Sequence, residues 1–221
     1  PRRSNLEKYC EPGWLADTAG LERLEDDDVR ILELPWQAHP PCQPWLPLPE
    51  RPELPEGRWG LWIHGEDLTP ELSALGGLRP ECALTVFDEP LMRTLGLSEA
   101  RVGYIHDALA DARTRGMAHY GCPVEQRSQG GFAAHLAAVA RERRLDGWIA
   151  MRPAVGPLGD AIGDIESTLG REGLRIHWCR RRWDEQRWPG ASSGFFGFWE
   201  KVRDRLSGGG RPDSAQGLLP L

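Results

Sequence analysis

From Arg58 onward, short apolar runs alternate with longer amphipathic stretches. WGLWIH (59–64), ALTVF (83–87), MAHYG (117–121), GWIAM (147–151) and LRIHW (174–178) have the length and apolar density of buried strands. The segments between them have helical periodicity. In GEDLTPELSAL, Thr69 before Pro70 reads as an N-cap followed by a first-turn proline. LSEARVGYIHDALADARTRG (97–116) places Val102, Ile105, Ala108, Leu109 and Ala112 on one stripe, with Ser98 as cap and Gly116 as stop. GFAAHLAAVARERR (131–144) is an alanine-rich helix, DAIGDIESTLGREG (160–173) ends at Gly170 or Gly173, and a last helix covers residues 196–206.

Strand and helix alternating five times predict an α/β fold: a doubly wound, five-stranded parallel sheet with helices on both faces. Right-handed crossovers give the strand order 3-2-1-4-5. In such sheets ligands bind where the order reverses, outside the carboxyl ends of the first and fourth strands. Those ends are His64, Gly65, Glu66 and Asp67 on one side, and Met151 and Arg152 before Pro153 on the other. Asp88 ends the second strand. Asp67 and Asp88 suit helix capping or acceptance of a hydrogen bond from a ribose or heterocycle. Arg152 suits a ligand carboxylate or phosphate as well as a solvated position before proline.

Residues 1–57 follow a different pattern. Residues 5–28 have weak helical character and end in an acidic run, and Ile31–Leu34 read as a short strand. Eight prolines between positions 35 and 55 make PWQAHPPCQPWLPLPERPELPEG an extended strap, with Trp36 and Trp45 pinning it to a surface. The expected organisation is an N-terminal extension (1–57), an α/β domain (58–206) and a flexible tail (207–221).

Composition narrows the function. A net charge of −6 excludes a generic nucleic-acid binder held by counterion release. No run of about 18 apolar residues exists, so no membrane span is expected. Five scattered cysteines without a CxxC pair read as reduced thiols, which points to a cytoplasmic protein. There is no GxGxxG after the first strand, no GxxxxGK[ST], no GxSxG and no SGGxDS-like loop. Single histidines lack metal-ligand spacing, and His64 alone stands at the expected crevice. Arg180, Arg181 and Arg182 are interleaved with Trp183 and Trp188, which suits Arg–Trp stacking of the loop onto its own domain better than single-strand binding. Beyond them, Phe195, Phe196, Phe198 and Trp199 crowd five positions, some to pack under the sheet and some to face a partner domain.

The ordered segments resemble a known family. LWIHGEDLTPELSAL followed by LTVFDEPLM resembles the opening of the N-terminal α/β domain of DNA photolyases and cryptochromes. LSEARVGYIHDALADARTRGMAHYG, GGFAAHLAAVARERRLDGWIAM, GDAIGDIESTLGREGLRIHW and WPGASSGFFGFWEKV are similar, in order, to later segments of that domain. The likeness covers residues 58–206, and the first turn reads HGEDLTPE where the family carries arginines beside the aspartate. The resemblance implies that the crevice of His64, Gly65, Glu66, Asp67, Asp88, Met151 and Arg152 holds an antenna chromophore: a folate, a deazaflavin or a flavin. In that family FAD sits in a separate helical domain, for which the fifteen residues after Leu206 leave no room. The expectation is therefore an antenna-type domain that meets a helical FAD-binding partner, reaches DNA only through it, and repairs nothing alone. A noncatalytic interaction domain and a nucleotide-binding α/β enzyme are the alternatives.

Overall fold

The computed structural model describes residues 7, 8, 10, 46–154, 156–190 and 195–207. The chain divides into two units, Pro1–Pro44 and Trp45–Leu221. In the first, Glu7 and Lys8 are helical. The expected strand Ile31–Leu34, Trp36, Trp45 and the tail from residue 208 lie outside the described residues.

The second unit holds a five-stranded, all-parallel sheet in the order β3-β2-β1-β4-β5. The strands are β1 (Trp59–Ile63), β2 (Cys82–Val86), β3 (Val124–Arg127), β4 (Gly147–Met151) and β5 (Arg175–Cys179). The helices are α1 (Glu89–Thr94), α2 (Glu99–Tyr120), α3 (Phe132–Arg143), α4 (Pro157–Asp160), α5 (Ile162–Arg171), α6 (Arg182–Arg187) and α7 (Phe195–Ser207). β1, β2 and β4 are buried along their whole length, as apolar strands covered on both faces must be.

Alternate residues feed two cores. Trp62, Leu84, Trp148 and Ala150 meet Leu136 of α3 and Ile165 and Leu169 of α5. Leu61, Ile63, Ala83 and Ile149 form the other core with Leu75, Leu78, Ala112 and Tyr120. Helices thus cover both faces of the sheet.

Three expected elements differ. The segment after β1 forms two 3-10 turns, Pro70–Leu72 and Ala74–Gly77, rather than a helix, and the Thr69 side chain caps nothing. Ser73 takes over by accepting from Leu75 N at 3.1 Å, which restarts the chain after one turn. Residues 117–120 belong to α2, not to a strand. Gly116 does not stop α2, because it is the site of a close approach: a Cβ there would lie 3.2 Å from Ile63 Cδ1. The helix ends at Gly121, whose left-handed φ of 64° closes its last turn. β3 therefore starts seven residues later than MAHYG suggests.

With no helix after β1, the described part of the strap helps cover the second face. Leu54 packs into that core, and Arg180 holds the strap's beginning. Arg180 N donates to Pro49 O and Arg180 Nη1 to Leu46 O, each at 3.1 Å. At the other end, Trp59 Nε1 donates to Pro55 O at 3.1 Å.

Candidate functional site

At the carboxyl ends of β1, β4 and β5 lies a crevice of about 80 Å³. His64, Glu66, Asp67, Met151 and Arg152 line it, so five of the seven expected site residues come together. Gly65 is exposed in the adjoining turn, whose backbone closes by Asp67 N donating to His64 O at 3.0 Å. Asp88 lies elsewhere: it caps α1, accepting from Leu91 N at 3.1 Å. Capping was one of its two expected roles.

His64 is buried, and both ring nitrogens are engaged. Nδ1 accepts from Glu66 N at 3.3 Å, so Nε2 carries the hydrogen and donates to Met151 O at 2.7 Å. Burial lowers its pKa from the usual histidine value, against the opposing pull of the Met151 carbonyl, Asp67 and Glu66. This ring ties the end of β1 to the end of β4. Glu66 adds a second tie, its Oε2 accepting from Ala154 N at 2.9 Å.

The closing contact comes from a residue the sequence analysis places only in an Arg–Trp loop. Arg181 donates from Nε to Asp67 Oδ2 at 2.9 Å and from Nη2 to Asp67 Oδ1 at 2.8 Å, a fork on a carboxylate. Its Nη2 also reaches Thr69 O at 2.8 Å, so the turn after β1 is latched to the exit of β5. The basic run after the fifth strand and the acidic GED after the first were the available sign, since β5 lies beside β4 and borders the same crevice.

Arg180, Cys179, Asp184 and Trp188 complete the wall. Arg180 is ion-paired with Glu185 at 2.6 Å. Burial pushes the Cys179 thiol up to about 12 and raises the Asp184 carboxyl above its usual range, against the pull of Arg181. Arg152 has its guanidinium 5.8 Å from the Trp178 ring centroid and 3.9 Å from Glu166, and borders the opening. Stacking of the loop on itself also appears in Arg187, 3.2 Å from the Trp183 ring centroid.

Ligand pockets for small molecules run from about 300 Å³ upward. The crevice as built takes one small polar group beside Arg152, and the ring system of a folate, deazaflavin or flavin does not fit. Its hydrogen-bonding groups are turned on one another. No protein-family model matches the chain, and no curated protein matches it. Among the described residues no helix is long and apolar enough to cross a membrane, and no cluster of His, Cys, Asp and Glu could hold a metal ion.

The histidines give a pH dependence with a definite sign. The His64 and His177 pKa values are both lowered in the fold, chiefly by burial. The unfolded chain then takes up protons first as pH falls through about 6.5, so stability is full above that value and declines below it. Asp184, with a raised pKa, acts in the opposite sense at lower pH. Urea midpoints are expected to fall between about pH 7.5 and 5.5, and His64→Gln to flatten that slope. An unchanged slope in the variant would remove His64 from the account.

Proposed function

We propose that this chain is a noncatalytic α/β module related to the antenna half of photolyases and cryptochromes, with its crevice closed by its own side chains. The observation that carries the reading is the Asp67–Arg181 latch together with the His64 and Glu66 ties, which fill the place where a doubly wound sheet receives its ligand. The held strap beside Arg180 supports the same conclusion, because Arg180 lines the crevice and fixes the strap at once. The relation to the family rests on the ordered segments of residues 58–206 and on a sheet of the order they imply.

In this reading the module works by association. FAD belongs to a helical flavin-binding domain or subunit outside the described residues, and DNA is met only through that partner. The second reading is antenna binding, favoured by Arg152 at the crevice mouth, where an anionic end of a chromophore could be received.

Gel filtration of the full chain tests both. The chain is mixed in turn with a folate, a deazaflavin, a flavin mononucleotide and a helical flavin-binding domain cut from a photolyase. Near-ultraviolet and blue absorbance are read across the protein peak. The expected result is no bound free chromophore and co-elution with the flavin domain. A stoichiometric free chromophore under the protein peak would replace the closed-crevice reading with the antenna role. Separate elution of the flavin domain would remove the proposed partner.

A further inference from the structure

The aromatic end of α7 has more apolar surface than its own domain covers. Phe195, Phe196, Phe198, Trp199 and Val202 fall on one continuous arc at 3.6 residues per turn. The inner side of that arc is packed, with Val202 only 5% exposed and Phe198 half-buried. The outer side is open: Phe195 is 67%, Phe196 80% and Trp199 41% exposed. A helix turn that is apolar on both sides is normally buried on both sides.

The open side is ordered as one plate. Phe195 stacks on Trp199 with ring planes 11° apart and centroids 6.2 Å apart, and Phe196 meets Phe195 edge-on at 5.5 Å. Rings already fixed against each other lose little freedom on association. Trp188, 41% exposed in the 3-10 turn Trp188–Gly190 that packs on α7, extends the plate.

We propose that this plate is the two-fold interface of a homodimer, its occupant being the same plate of a second copy of this chain. The area supports this choice. With about 200–250 Å² per aromatic side chain, the four exposed fractions amount to roughly 500 Å² per chain. Two copies face to face then bury about 1,000 Å², the lower bound of a specific interface, before any rim residue is counted. A self-complementary patch pairs by a two-fold axis with no other component. The segment FFGFW carries no charge, so two acidic chains meet there without opposing like charges at the centre. The sequence analysis leaves this face to a partner domain; here the partner is the chain itself. The proposal is independent of any chromophore, and the crevice plays no part in it.

Sedimentation equilibrium of the full chain over a hundredfold concentration range, roughly 1–100 μM as is usual for interfaces of this size, is the test. The expected result is a reversible dimer for the wild type and a monomer for Phe196→Glu, with the same circular dichroism and thermal midpoint extrapolated to monomer. Phe196→Ala keeps the helix propensity high and is expected to weaken dimerisation about tenfold or more, which separates loss of the plate from insertion of a charge. A wild type that stays monomeric throughout the range overturns the proposal and leaves the plate to a different partner. A dimer that survives Phe196→Glu overturns it equally, since another face would then be in use.

Discussion

Trp148→Ala lowers the unfolding free energy by about 3–5 kcal/mol, the largest single loss expected in this domain. Trp148 is fully buried in the middle of β4, facing α3 and α5. Its Nε1 donates to Leu136 O within α3 at 3.1 Å, so the truncation removes a hydrogen bond as well as a large ring. The neighbouring strand is built around that ring. A Cβ on Gly60 of β1 would come within 2.5 Å of Trp148 Cζ3 and 2.6 Å of Cε3. Gly60 is thus an empty space that Trp148 fills, and the cavity left by alanine cannot close without moving β1. Against a typical total of about 5–15 kcal/mol, such a loss brings the domain near its unfolding limit at body temperature. Urea titration is expected to show a lower midpoint with an unchanged slope. The pairing has its own check. Gly60→Ala alone destabilises by about 1–3 kcal/mol through overpacking, and adding it to Trp148→Ala costs much less because the clash has gone. Additive losses would mean that the two positions do not share the space.

The sheet was legible because buried parallel strands leave dense apolar runs, and WGLWI and GWIAM occur as strands at the expected positions. MAHYG misled because Met117 and Tyr120 lie on a helix whose glycine, Gly116, serves contact with Ile63 rather than termination. The segment after Thr69 misled for the opposite reason: its capping signs are real but local, and the chain turns away after three residues at Ser73. The crevice was half legible. Topology alone brings His64, Glu66, Asp67, Met151 and Arg152 to one place. It does not say that Glu66 and Asp67 are already taken by Ala154 and Arg181, since those contacts lie 88 and 114 residues away in sequence. Whether a crevice is open or closed depends on such long-range pairings, which leave no periodicity in the chain.

Arg181→Ala opens that closure and lowers stability by about 3 kcal/mol, as expected for one half of a largely buried ion pair removed. The Asp67 side chain is only 13% exposed and loses both guanidinium hydrogen bonds at once. Thr69 O loses its donor as well, so the turn after β1 is freed from β5. Asp67→Asn in the same background removes the stranded charge and is expected to recover part of the loss, giving a coupling free energy of about 1–3 kcal/mol in the double-mutant cycle. The mouth of the crevice supplies a second readout. Cys179 is buried on its wall with a thiol pushed up to about 12, so alkylation of this residue in the wild type is slow. With the latch gone, Cys179 meets water and iodoacetamide modifies it faster, by a rate followed site by site with mass spectrometry. The variant must be compared below its unfolding transition, where global opening contributes equally to the buried Cys82. Faster modification of Cys179 relative to Cys82 marks the latch as the gate of the crevice. Equal acceleration of both thiols would show that Arg181 stabilises the fold without governing access, and the crevice would then be closed by Trp188 and Asp184 instead.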